Sequence, residues 1–299
     1  MPIESSLPRP PVSSLLPPPP RPKRTPPPRR WWRRLHIALL MLAIPAGIVF
    51  GVGGAGGILA LFVLFVPLEK LFRRHVQPIR RPGLRTDLTY ALAAPVLIVA
   101  TVIAGVVLAL VVFPLWVPAL LLRPIVMSQP GWLMAVEAFI LIDVLVYWTH
   151  RLYHEVGFLW RFHSIHHSSA RLDWISGIRN HPFDGALIIV PGAILFAAGF
   201  QLEVVGFLAV VQAILGIFAH ANVRWRLRPL HKIVMTPEFH HWHHANYPES
   251  IHTNYSVFLP LWDILWGSYF MPADRRPEVY GLDDPMPPSM PGQLLAPFR

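Results

Sequence analysis

The chain has 299 residues, of which 54% are hydrophobic and only 14% are charged. Soluble domains carry about 25% charged residues, so this composition excludes an ordinary soluble protein and indicates a chain that faces a lipid bilayer. The net charge of +10 does not indicate nucleic-acid binding, because Lys and Arg cluster beside the apolar runs as membrane anchors do. The chain has no cysteine, which excludes disulfides, thiolate zinc sites and iron–sulfur clusters.

The N-terminal part of the chain predicts a polar tail followed by membrane helices. Residues 1–30 are rich in proline and have no apolar core, so we expect a disordered tail there and not a signal peptide. Residues 31–130 are predicted as an N-terminal transmembrane region. Its first apolar run, residues 36–68, is too long for one span of about 20 residues and contains several glycines, which favours a two-helix hairpin. Arginines on both sides of this run predict that both flanks lie in the cytoplasm.

The later apolar runs predict helices that return the chain to the same side of the membrane. Residues 88–122 predict an outward span with an interfacial portion, and residues 132–148 predict the returning span. Residues 186–219 are interrupted near Gly199 and both halves are short for full spans, which favours a re-entrant or half-buried hairpin. No alternating strand pattern occurs, so the predicted fold class is an all-α, polytopic membrane helical bundle.

Histidines are concentrated in the second half of the chain and follow a pattern. Of the 15 histidines, all except His36 and His75 lie between positions 150 and 252. The spacing i, i+4 at His150 and His154 places both imidazoles on one face of a helix. Two triplets of the form HxxHH follow, and we expect each to place three rings on one side of a helix turn; they are His163, His166 and His167, and His240, His243 and His244.

These eight imidazoles exceed the ligands that one tetrahedral metal ion needs, so the count predicts two metals. Imidazole binds iron, zinc, copper and nickel, and the spacing therefore leaves the metal open. A single buried histidine is usually a hydrogen-bonded core residue, but a cluster of them at a membrane face has a desolvation cost that bound metal offsets. His241, which lies between two ligands, is expected to point away or to support them.

Seven motifs, in this order, resemble the fatty acid hydroxylase and sterol desaturase superfamily of membrane-bound di-iron oxygenases. Besides the three histidine motifs they are Arg-Asn-His-Pro at 179–182, His-Ala-Asn at 220–222, Asn-Tyr at 254–255 and Trp-Asp-Ile-Leu-Trp-Gly at 262–267. The resemblance implies a catalytic domain over residues 131–272 and a C-terminal tail over residues 273–299. It also implies two iron ions on the cytoplasmic face that activate O2 and hydroxylate or desaturate a lipid.

The resemblance further implies which residues hold the metals. Nine histidines are expected as ligands, namely His150, His154, His163, His166, His167, His220, His240, His243 and His244. Four residues are candidates to orient ligands through hydrogen bonds: Glu155, His181, Asp184 and Asn222. For Glu155 and Asp184, a helix cap or a salt bridge is an equal alternative. His231 and His252 match no motif position. Because the sequence carries no haem, dinucleotide or cluster motif, we expect a separate reductase or electron carrier to donate electrons.

Three other functions fit parts of this pattern. A zinc-dependent membrane hydrolase uses similar ligands, although the HExxH motif is absent from the sequence. A metal transporter would place ionisable residues within several spans, whereas these histidines lie at the ends of spans. A non-catalytic relative that retains metal would have the same ligands, and turnover alone separates that case. The Arg- and Pro-rich composition favours a bacterial inner membrane as the location.

Overall fold

A computed structural model describes residues 55–78, 80–112 and 117–299. Over these residues the fold consists of ten α-helices and short 3-10 turns, without a β-strand. The helices are α1 (Ala55–Phe72), α2 (Leu84–Val111), α3 (Val117–Met127), α4 (Gly131–Glu155), α5 (Gly157–His167), α6 (Pro182–Ala197), α7 (Leu202–His220), α8 (Pro237–His243), α9 (Leu261–Leu265) and α10 (Met290–Leu295). The predicted all-α fold class is confirmed. The predicted N-terminal tail and residues 36–54 of the predicted hairpin lie outside the described residues.

Within the described residues, three helices are long and apolar enough to cross a membrane: α2, α4 and α7. Their outward side chains suit hydrocarbon, since Leu92 on α2 is 80% exposed and Val96 is 73% exposed. An aliphatic face of this size is unfavourable in water, and lipid removes that cost. The helices therefore indicate a multi-pass membrane protein.

The break predicted near Gly199 separates α6 from α7. Gly199 has a φ of 101°, a left-handed conformation that favours glycine. The prediction that both halves of this run are too short for a span is corrected for the second half, because α7 has 19 residues and ranks among the candidate spans. At about 1.5 Å per residue, a helix of this length approaches the thickness of the hydrocarbon core. Helix α6, with 16 residues, stays below that length.

Helix α1 packs against two segments that adjoin the histidine-bearing helices. Its Phe65 ring stacks on Trp174, with centroids 6.0 Å apart. At its C-terminal end, the Oε1 atom of the Glu69 carboxyl group accepts hydrogen bonds from the backbone N–H groups of Trp174 and Asn222, both at 2.8 Å. Trp174 follows α5 and Asn222 follows α7, so one side chain of α1 holds both segments in place.

A buried ion cluster joins α2 to the segment between α5 and α6. Asp87, in the first turn of α2, pairs with Arg81 at 2.6 Å and with Arg179. Arg81 also donates two hydrogen bonds of 2.6 Å to Asp173. The side chains of Arg81 and Asp87 are 1% and 0% exposed. Because every buried charge has an opposite partner, the desolvation cost is offset and the segment is fixed against α2.

Residues 273–299, predicted as a C-terminal tail, pack against the helices. The Tyr280 side chain is buried and its ring contacts His241, with centroids 5.8 Å apart. The Thr86 hydroxyl at the start of α2 donates a hydrogen bond to the carbonyl of Pro288. Helix α10 follows, with Gln293 buried. The segment thus covers the N-terminal end of α2 and one side of α8.

Candidate metal centre

The nine histidines predicted as ligands come together in two groups, the only such groups of His, Asp or Glu in the described part of the chain. The five-histidine group contains His150, His154, His163, His167 and His243. The four-histidine group contains His166, His220, His240 and His244. Within each group, the candidate ligand atoms lie within 4.8 Å of one another.

Four helices carry these side chains. Helix α4 presents two histidines one turn apart near its C-terminus, and α7 ends at His220. Helix α5 carries the first triplet, and α8 carries the second, with His244 as its C-cap. Local signals start α8, because Pro237 occupies its first turn and the Thr236 hydroxyl accepts the N–H of Phe239 at 3.3 Å. These caps set the register that aims the second triplet.

Each HxxHH triplet is divided between the two groups, which corrects the expectation that its three rings face one side. In α5, His163 and His167 belong to the five-histidine group, whereas His166 belongs to the four-histidine group. The triplet of α8 is divided in the opposite sense. Its first and last histidines, His240 and His244, belong to the four-histidine group, whereas His243 belongs to the five-histidine group. The reason is helical geometry, since positions i and i+4 differ by about 40° around the axis while i+3 and i+4 differ by about 100°.

Backbone carbonyls contact the Nδ1 atom of several of these histidines. The Nδ1 atoms lie 2.6–3.1 Å from carbonyl oxygens in four pairs: His150 with Tyr255, His166 with Arg179, His220 with Gly216, and His243 with Thr253. A carbonyl oxygen only accepts hydrogen bonds, so each of these Nδ1 atoms carries the ring proton. The lone pair of each Nε2 atom is then free and faces its group, as in metal-binding imidazoles.

The Nε2 atoms of each group lie close together, and they carry too few protons to form hydrogen bonds with one another. His220 Nε2 lies 3.1, 2.9 and 3.2 Å from the Nε2 atoms of His166, His244 and His240. In the five-histidine group, the buried Nε2 atoms of three rings have no hydrogen-bond partner, namely His154, His167 and His243. Converging lone pairs repel, and a cation satisfies all of them together. The donor set in each group therefore fits a metal ion.

Burial keeps five histidines of the two groups neutral near pH 7. It lowers the pKa of His243 to about 3. Burial, followed by the repulsion between neighbouring imidazoles, also takes the pKa well below 6.5 for four further ligands: His166, His167, His240 and His244. Metal binding requires the unprotonated ring, so these side chains are prepared to bind without releasing protons.

Of the four residues expected to orient ligands, only Asp184 contacts one. Both of its carboxylate oxygens lie 3.1 Å from His163 Nδ1. Glu155 is exposed and forms an ion pair of 2.8 Å on the surface of α4. His181 caps α6 through Nδ1, and Asn222 bonds to the backbone of His75 rather than to a ligand.

The remaining described histidines lie outside both groups. His241 Nδ1 lies 3.0 Å from an Arg74 guanidinium nitrogen, on the side of α8 that faces away from the groups. His231 bonds to the backbone carbonyl of Arg226. Sequence reasoning missed Gly177, at which a Cβ would lie 2.7 Å from His220 Nδ1. No local pattern marks this glycine, because the close approach is a tertiary contact.

The contact between Asp184 and His163 gives a testable prediction. The substitution Asp184→Asn should weaken metal retention or activity by about 10–100-fold, because the carboxylate orients the ring and increases the basicity of its Nε2. The measurement is the amount of metal retained during titration with a chelator. The exposed Glu278→Gln is a control that removes one negative charge elsewhere. Equal retention in Asp184→Asn and the wild type would contradict the role of Asp184.

Comparisons with known proteins agree with this arrangement. Residues 135–268 match the family model described as fatty acid hydroxylase. Ornithine lipid hydroxylase from Rhizobium tropici is 37% identical over 154 residues, which cover 51% of this chain and 46% of that protein. Alkylglycerol monooxygenase from Danio rerio is 30% identical over 152 residues, covering 50% of this chain and 33% of that protein. A very-long-chain aldehyde decarbonylase from Oryza sativa subsp. indica is 28% identical over 154 residues, covering 46% and 23%.

The matched stretch covers less than half of the length of each of these relatives. No solved structure gave a significant match. All nine histidines of the two groups nevertheless fall within residues 135–268. The ordered motifs, the paired histidine groups and the family match agree: residues 135–268 of this chain are similar to the fatty acid hydroxylase family.

Proposed function

We propose that the chain is a membrane-bound non-haem di-iron oxygenase that uses O2 and external electrons to hydroxylate or desaturate a lipid. The observation that carries this proposal is the pair of histidine groups, which offers nine imidazoles to two metal ions. Relatives that are named as a lipid hydroxylase and a monooxygenase support oxidation of a lipid. When bound, two iron ions supply the redox chemistry that O2 activation requires.

The two groups lie side by side, which supports a dinuclear centre rather than two remote ions. The ring of His167 in the five-histidine group stacks on His244 of the four-histidine group, with centroids 4.1 Å apart. The rings of His163 and His166, one from each group, have centroids 5.3 Å apart. The chain's own part in the reaction is to hold these rings in a fixed, buried arrangement and to exclude water from it.

The helices that carry the ligands support a site at the membrane surface. His150 and His154 lie near the C-terminus of α4 and His220 ends α7, and both helices are candidate spans. The arginines that flank the first apolar run favour the cytoplasmic face, and we propose a bacterial inner membrane. In this position, an acyl or alkyl chain reaches the site from the bilayer while the headgroup stays in water. We propose a separate reductase or small electron carrier as the electron donor.

Elemental analysis and turnover test the proposal together. Protein purified in detergent is expected to contain close to two iron ions per chain, and to oxidise a lipid when O2 and a reductant are supplied. Zinc alone, in protein from cells grown with ample iron, would favour a hydrolase instead. Two bound iron ions without turnover of any lipid would favour a non-catalytic relative.

Replacing one ligand from each group gives the next prediction. His166→Ala and His243→Ala should each deplete metal and abolish activity while leaving membrane insertion intact, because neither residue lies in a candidate span. The measurement is metal content and lipid turnover in the membrane fraction. His231→Asn is the matched control, because this buried histidine lies outside both groups. Full metal occupancy in both alanine variants would refute the ligand assignment.

A further inference from the structure

A cavity of about 960 Å³ opens beside the N-terminus of α2. Its wall is formed by residues 80–86 and Leu88, by Ser168 and Arg179, and by Leu282, residues 284–288 and Gln293. Helix α2 is a candidate span that begins at Leu84, so the cavity lies where the chain enters the membrane. The volume falls within the range of about 300–1,000 Å³ that is typical of small-molecule sites.

Two arginines in this wall are left without a carboxylate partner. Arg80 and Arg85 are exposed, and neither forms an ion pair with any described residue. Arg81 and Arg179, in the same wall, are already neutralised by the buried ion cluster. The exposed Asp284 also lines the cavity, so its unpaired side chains carry two positive charges and one negative charge. This balance favours an anionic ligand.

A buried acceptor adds a second requirement. The Gln293 side chain is 3% exposed, and its Nε2 atom donates to the Pro287 carbonyl at 2.9 Å. Its Oε1 atom is buried and has no hydrogen-bond partner. An unsatisfied buried acceptor is costly, and a ligand with a hydroxyl or ammonium group removes that cost. The cavity therefore fits a group that carries both an anion and a donor.

The lining of the cavity is apolar in part. Leu84 and Leu88 occupy the first turns of α2 and line the cavity, and Leu88 is 44% exposed. Met286 also lines the cavity. An amphiphile matches this combination of charged and apolar lining, because its anionic head meets the arginines while its chains run along α2 into the bilayer.

The same wall is connected to the metal centre. Ser168 directly follows His167 in the chain. Arg179 donates a hydrogen bond of 3.0 Å to the Ser168 hydroxyl. The backbone carbonyl of Arg179 accepts the proton on His166 Nδ1 at 3.1 Å. Two residues of the cavity wall thus adjoin the histidine groups: Ser168 is next to His167 in sequence, and Arg179 contacts His166.

From these contacts we infer that the cavity binds the headgroup of an anionic lipid substrate. The phosphate or carboxylate group lies against Arg80 and Arg85, and a headgroup hydroxyl or ammonium donates to Gln293 Oε1. This inference rests on the proposed lipid oxidation and specifies the headgroup class of its substrate.

Binding by the purified full-length protein tests the headgroup site without turnover. The probes are dioctanoyl phosphatidylglycerol, which has an anion and hydroxyl donors, and dioctanoylglycerol, which has the same chains and no charge. The double variant Arg80→Gln/Arg85→Gln should bind the phosphatidylglycerol about fivefold to tenfold more weakly and the neutral lipid unchanged. The control Lys70→Gln/Lys232→Gln removes two exposed positive charges outside the cavity and should bind both lipids like the wild type.

Two further arms separate the possible outcomes. Inorganic phosphate should compete poorly with phosphatidylglycerol, whereas competition at equal concentration would overturn a headgroup site in favour of a free-anion site. With metal, O2 and reductant, the double variant should raise KM for the anionic lipid with little change in kcat. Equal binding by the double variant and the wild type would overturn the inference. A wild type with the expected binding preference but no oxidation would support the headgroup site and overturn the proposed function.

Discussion

Replacing His220 with alanine should remove one of the two metal ions and reduce lipid oxidation by more than about 100-fold, a larger loss than removal of a supporting hydrogen bond causes. His220 Nε2 is the atom that lies within 3.2 Å of the Nε2 atoms of the other three members of its group. Without it, three imidazoles surround the space that its ring occupied. The five-histidine group shares no side chain with this group, so its metal should stay bound.

Elemental analysis of His220→Ala, beside His231→Asn, measures this effect. The expected ratio is close to one iron per chain in the alanine variant and close to two in the control. Unfolding is not the expected cause of any loss, because the residue ends α7 and removal of its ring leaves the apolar length of that helix unchanged. Two retained irons would contradict the assignment of His220 as a ligand. Loss of both would show that the two groups bind metal as one cooperative unit.

Asp87→Asn is expected to have the largest effect on stability. The substitution removes the carboxylate that lies between Arg81 and Arg179, while Arg81 keeps its pair with Asp173. Arg179 is left as a buried charge without a carboxylate. Breaking a buried pair in this way costs about 3–5 kcal/mol. At about 2–4 °C for each kcal/mol, the midpoint of thermal unfolding should fall by about 10 °C.

Thermal unfolding in detergent, followed by tryptophan fluorescence, measures the shift for Asp87→Asn. The exposed Asp274→Asn has the same change of charge and should unfold like the wild type. The variant should also retain metal less well, because the backbone carbonyl of Arg179 holds the ring of His166. A midpoint equal to that of the control would mean that the ion cluster is not a major source of stability.

Histidine spacing was sufficient to predict which residues meet, but not how they divide. The motifs at 150–154, 163–167 and 240–244, with His220 from the family resemblance, identify the nine members of the two groups. Their division follows from the 100° turn between neighbouring helical positions and from where the helices lie relative to one another. The second factor is tertiary, so the expectation that each triplet faces one side was wrong.

Residues that support the ligands were harder to predict from sequence. Asp184 was expected and contacts His163. The carbonyl of Arg179 and the absence of a side chain at Gly177 also support ligands, yet neither has a local signature. Glu155, another candidate, instead pairs with an arginine on the surface of its own helix, which is the salt-bridge alternative.

Two carboxyl groups that help to hold the site together lie before the part of the chain that the family model matches. Glu69 anchors the segments after α5 and α7, and Asp87 neutralises Arg179, whereas the match begins at residue 135. A shortened chain that began at residue 131 would keep every ligand and lose both anchors. A comparison restricted to the matched residues would therefore miss two of the groups that hold the histidine-bearing segments in place.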